Sequence, residues 1–183
     1  MTPARGGSAA EPVGVAFLAQ SRAYLIDSFW PRLGVALERM PEADLWWRPN
    51  EASNSVGNIV LHLCGNARQW IVSGVGGAPD VRRRQEEFDE RGPLLRAQLV
   101  GVLNATFGEI DRTLAGLDPA ALLERRVIQG REVTLLGAIL HVVEHVSHHT
   151  GQILWIAKAR TGRDLGLWTV RDGVATPTWN ERP

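Results

Sequence analysis

The chain has 183 residues, with 20 lysines and arginines against 20 aspartates and glutamates and a formal net charge of +0. That length suits one domain, and the charge balance with a pI near 7.0 supplies no basic field for nucleic acid or an anionic membrane. No apolar run approaches the ~18 residues of a membrane span, and Cys64, the one cysteine, excludes an intramolecular disulfide and fits a reducing cytoplasm.

Residues 1–12 are expected to form a disordered tail, since the Gly/Ala/Pro-rich start lacks the apolar region of a secretory signal. Residues 13–183 are expected to form one domain. A first helix is predicted from Val13 to Met40, where Leu18, Arg22, Leu25, Phe29, Leu33, Ala36 and Met40 recur at three- and four-residue steps. Pro31 lies inside that stripe and should kink or split it. A loop between Pro41 and Pro49 carries Trp46 and Trp47. Ser53 or Asn54 then caps a second helix reaching about Ser73, before the stop signal Gly74-Val-Gly-Gly.

The charged stretch DVRRRQEEFDERG, Asp80 to Gly92, reads as a loop or short helical turn. Arg82 to Arg84 suit a carboxylate clamp, or a solvated run paired with Glu86 and Glu87. Pro93 suits the first position of a third helix, marked by Leu95, Leu99, Leu103, Ile110, Leu114 and Leu117. Leu123 to Val133 is a polar connector around Gly130 with room for a short hairpin. Thr134 caps a fourth helix that runs to about Arg160 and closes at Gly162, and the tail after Leu167 reads as irregular. Four long antiparallel helices make an all-α four-helix bundle, with any strand confined to the connector.

Of five histidines, four fall in the nine-residue stretch His141-Val-Val-Glu-His145-Val-Ser-His148-His149, and the fifth, His62, is mid-helix. At about 100° per residue, His149 lies about +40° and His141 about −40° from His145, so either pair can chelate. Buried imidazoles must otherwise each find a polar partner, whereas one shared metal satisfies several. Asn66 shares the face of His62, while Cys64 lies about 200° round the helix and should not join the site. His141-Val-Val-Glu144-His145 also matches the H-x-x-E-H zinc motif. That motif needs a further ligand downstream, where the only glutamate is Glu181. A di-iron bundle needs Glu-x-x-His pairs, and no glutamate here has a histidine three residues on. Seven tryptophans are available for core or pocket walls, with Trp46, Trp47 and Trp70 the pocket candidates.

The segments Asn54-Ser-Val-Gly-Asn-Ile-Val-Leu-His62-Leu-Cys-Gly-Asn-Ala-Arg-Gln-Trp-Ile and His141-Val-Val-Glu-His-Val-Ser-His-His149-Thr-Gly-Gln-Ile resemble the DinB/YfiT-like superfamily of candidate metalloenzymes. Arg82 to Phe88 and Lys158 to Leu165 resemble one uncharacterised branch of it, and the likeness spans roughly Phe17 to Trp168. The resemblance implies a four-helix bundle holding a divalent metal on three histidines, which map to His62, His145 and His149. The pattern His-x-x-x-His-x-Gly-Gln brings in Gln152, and Asn66, His141, Gln152, Trp47 and Trp70 become the residues expected around the metal or its pocket. Relatives include a mycothiol-dependent isomerase and bacillithiol S-transferases. The resemblance therefore implies a metal-dependent transferase, paired as a homodimer, that uses a low-molecular-weight thiol on a small-molecule substrate. Nitrogen ligands suit zinc or nickel first, and the lone cysteine suits a cytoplasmic place. The apolar fourth helix also favours a dimer. A metal-dependent hydrolase and a non-enzymatic binding module are the alternatives.

Overall fold

The computed structural model describes residues 10–92 and 94–179; Pro93, Glu181 and the expected tail as far as residue 9 lie outside the described residues. The first helical stretch, α1, is unbroken over residues 10–39: an α-helix Ala10–Arg22, a wider π-helical stretch Ala23–Phe29, and an α-helix Trp30–Arg39. Pro31 therefore does not split it. The proline falls in the opening turn of the last segment, and the backbone stays helical through Phe29 and Trp30 ahead of it. In a regular α-helix its amide would have bonded the carbonyl of Asp27. The indole Nε1 of Trp179 donates to that oxygen instead, at 2.9 Å.

The second stretch, α2, covers residues 56–75, with an α-helix Val56–Ala67 continuing as a π-helical stretch Arg68–Val75. Its cap is Ser55, one residue beyond the expected pair. Ser55 Oγ accepts the Asn58 amide at 3.1 Å, while Asn58 Oδ1 accepts the Ser55 amide at 3.2 Å. Widening to i→i+5 bonding carries the helix past Ser73, and the Gly76 amide closes it on Ile71 O at 2.8 Å.

The charged run forms a short helix, α3 (Arg84–Asp89), ahead of α4 (Arg96–Ala115). The connector is the expected hairpin, with β1 (Arg125–Ile128) antiparallel to β2 (Arg131–Thr134) and Ile128 opposite Arg131. Its two turn residues, Gln129 and Gly130, have φ of 52° and 73°, as a type I′ turn requires. The last long helix, α5 (Leu135–Thr161), begins where expected, with Thr134 Oγ1 accepting the Gly137 amide at 3.0 Å. Gly162 ends it at φ 64°. A second hairpin, β3 (Trp168–Arg171) with β4 (Val174–Pro177), occupies the tail expected to be irregular.

Both α1 and α2 pack against both α4 and α5. Leu33, Leu37, Leu63, Leu99, Leu103, Phe107, Ile110, Ile139, Val142 and Ile153 are fully buried between them. Removing any of these side chains would cost about 2–5 kcal/mol, so the core fixes the spacing of α2 and α5. That spacing sets the histidines.

Candidate metal centre

His62 stands midway along the α-helical part of α2, and His145 and His149 occupy adjacent turns of α5 across the seam. One ring nitrogen from each lies within 4.8 Å of the other two, and these are the one such trio among the described residues. The ring centroids are 5.0 Å apart for His62 and His145, 5.2 Å for His62 and His149, and 4.4 Å for His145 and His149. His62 and His145 present Nε2 to each other at 3.1 Å.

What lies behind each ring decides which nitrogen is free. Glu87 Oε2 is 3.0 Å from His62 Nδ1, and a carboxylate can only accept, so Nδ1 carries the proton. The Nε2 lone pair of His62 then points at the other histidines. Gln152 does the same for His149, its Oε1 accepting from Nδ1 at 2.7 Å. A donor set of convergent imidazoles, two with their second nitrogen tied to an oxygen, could hold a metal ion.

Burial pushes His145 down to about 3, aided by the neighbouring imidazoles of His149, His62 and His141 and by Arg82. His149 is also lowered, burial outweighing the bond from Gln152 that acts the other way. His145 and His149 are thus kept in the uncharged form that ligates metal. Burial alone would raise Glu87, but its bonds from Arg82 and His62 win and hold it below the usual carboxylate range.

The other expected residues divide. His141 does not join the trio: its ring packs 4.2 Å from Trp70 and 5.5 Å from His145, and both His141 Nε2 and Trp70 Nε1 are buried without a partner. Asn66 is buried with its Oδ1 unpaired. Trp46 belongs to the core, seated against Gly57 and Gly92 with its Nε1 bonded to Leu94 O at 3.0 Å. Trp47 instead lines a cavity of ≈ 620 Å³ with Ile59, His148, Gln152, Trp155 and Ile156. Gln152 joins the two places, since its Nε2 lies 3.1 Å from His148 Nε2 while its oxygen holds His149. The cavity thus opens beside the trio.

Glu87 and Trp155 have no place in the sequence-based site, and Arg82 enters it only as one of three arginines that suit a carboxylate clamp or a solvated run. Arg82 and Glu87 sit in a run that composition cannot tell from a solvated face. Only Phe88, the lone aromatic of that run, marks a buried side, and its ring lies 4.8 Å from that of His62.

The profile of the DinB superfamily matches residues 25–153. Among solved structures, a DinB-like protein (YjoA) from Bacillus subtilis superposes with a TM-score of 0.61 over 79% of this chain and 92% of its own, at 17% identity. No curated protein matches the chain.

Proposed function

Because the chain belongs to the DinB superfamily, we propose that it is a metal-dependent transferase that uses a low-molecular-weight thiol, held on the four-helix bundle typical of that family. The observation that carries this reading is the convergence of His62, His145 and His149 beside the tryptophan-walled cavity. His62, His145 and His149 would hold a divalent ion, zinc or nickel first. When bound, it supplies Lewis acidity that favours a thiolate at neutral pH.

The residues of the chain support a thiol from outside. Cys64 is buried with its thiol pushed up to about 12, chiefly by burial, so it offers no nucleophile of its own. Hydrolysis is less well served by the carboxylates, neither of which is placed as a general base at the trio. Glu87 is committed to His62 and Arg82, and Glu144 is exposed on α5. Gln152 and His148 are placed to orient a substrate that enters the cavity, with Trp47 and Trp155 covering its apolar part. The exposed Leu140 and Trp155 on α5 support a homodimer. No described helix is long and apolar enough to cross a membrane, which is compatible with a cytoplasmic site of action.

The test is turnover of an electrophile with glutathione, bacillithiol or mycothiol, before and after chelation. Thiol consumption that needs the metal supports the reading. Cleavage of an ester or amide with no thiol present would replace it with the hydrolase.

A further inference from the structure

We propose that Glu87, clamped by Arg82, is a positioning residue that fixes the tautomer and aim of His62; this rests on the reading of the histidine trio as a metal site. The carboxylate is shared between two partners. Glu87 Oε1 accepts Arg82 Nε at 2.7 Å, while Oε2 accepts both Arg82 Nη2 at 2.8 Å and His62 Nδ1 at 3.0 Å. Arg82 Nη2 also lies 3.2 Å from His62 Nδ1, but its shorter path is to the carboxylate. A fork–fork pair of this kind sets the orientation of the carboxylate as well as holding it.

The clamp is itself held in place. Arg82 Nη1 donates to Gln69 Oε1 at 2.9 Å, and Gln69 Nε2 donates to Asp80 at 2.6 Å. Asn58 Nδ2 anchors α3 by donating to Glu87 O at 3.0 Å and Glu90 O at 2.8 Å. At Gly65 a Cβ would overlap Glu87 Oε1, so that glycine leaves the space the carboxylate fills.

Stability does not account for such an arrangement. The side chains of Arg82 and Glu87 are 5% and 10% exposed, and a buried ion pair gives little net stability over an apolar pair of similar shape. Asn58 already docks α3 through backbone oxygens. What the pair adds is a carboxylate oxygen fixed against one nitrogen of one ring. That acceptor holds the proton on Nδ1, leaves Nε2 as a lone pair facing His145 and His149, and makes it a better donor to a cation.

The test compares the full-length protein with the Glu87→Ala, Glu87→Gln and Glu86→Ala variants. In metal-free protein, the nitrogen NMR shifts of the His62 ring report its tautomer. Zinc affinity follows from competition with a chromophoric chelator. We expect an Nδ1–H tautomer in the wild type and a mixed one in Glu87→Ala. Zinc affinity should fall about 10–100-fold in Glu87→Ala and less in Glu87→Gln, as for other carboxylates behind a ligating histidine. Glu86→Ala, which only unpairs exposed Arg83, should leave both readouts unchanged. A folded Glu87→Ala protein with the wild-type tautomer and zinc affinity overturns the proposal. Should that variant unfold because Arg82 is left uncompensated, the double variant Arg82→Gln/Glu87→Gln removes both charges together. It should show the smaller loss expected of Glu87→Gln, and wild-type affinity there is again fatal. If the wild type binds no zinc, the metal reading fails, while the tautomer of His62 still decides the role of Glu87.

Discussion

Replacing His149 by alanine should strip the metal from the protein, and replacing His141 should not. The two residues stand one turn either side of His145, with the same spacing, but only His149 brings a ring nitrogen within 4.8 Å of both His62 and His145. His141 is turned instead against Trp70. Zinc retained by equilibrium dialysis separates them, and loss of zinc in His141→Ala alone would move the site by a turn. Acid should act on the same rings. His145 is lowered to about 3 in the folded chain, whereas an unfolded histidine titrates near ~6.5. Between those values the unfolded state binds more protons than the folded one, so stability rises with pH there and is fully present above about 6.5. The metal-free protein should therefore lose urea resistance steadily as pH falls below that point. His145→Ala should flatten that dependence, and an unchanged slope would remove His145 as its source. Gly65→Ala should weaken zinc binding by displacing Glu87, although Gly65 is neither a member of the trio nor a lining residue of the cavity beside it.

Pro31 and Trp179 show how an element that carries no site residue is kept whole. The carbonyl of Asp27 loses its normal donor to the proline and regains one from the indole, while Trp168 of β3 packs edge-on against that indole at 4.8 Å. Trp179→Phe keeps most of the ring and removes only the N–H. It should cost about 1 kcal/mol, with melting temperature as the check and an unchanged value counting against the bond. The ends of α5 were legible because Thr134 and Gly162 are chemically unambiguous stops, and the Leu123–Val133 hairpin because Gly130 marked its turn. The β3–β4 hairpin was not. Seven of its eight strand residues are exposed, so burial imposed no alternation to read; only Asp172-Gly173, at φ 52° and 77°, carried a signal. Spacing brought out the histidines of α5 but could not choose between His141 and His149. That choice depends on the packing of α2 against α5, a tertiary fact. The roles of Glu87 and Arg82 escaped for a related reason: a charge looks alike in sequence whether water or a histidine faces it.

At the scale of the whole molecule, the superfamily profile and the bacterial neighbour agree with the helical packing. The neighbour's 17% identity carries the fold and nothing about substrate. The exposed faces of α1 and α5, with Val13, Val15, Leu140 and Trp155, suit a homodimer, for which light scattering at micromolar concentration should give twice the 20.1 kDa chain mass. A monomer mass would leave those residues on an open surface. All chemistry proposed for the molecule, however, depends on one ion between α2 and α5. The direct measurement is elemental analysis of protein purified without a nickel column, alongside a His62→Ala/His145→Ala/His149→Ala variant. The account predicts close to one equivalent of zinc or nickel per chain in the wild type and essentially none in a folded triple variant. Metal-free wild-type protein that takes up no zinc on titration, or equal metal in both proteins, would contradict it.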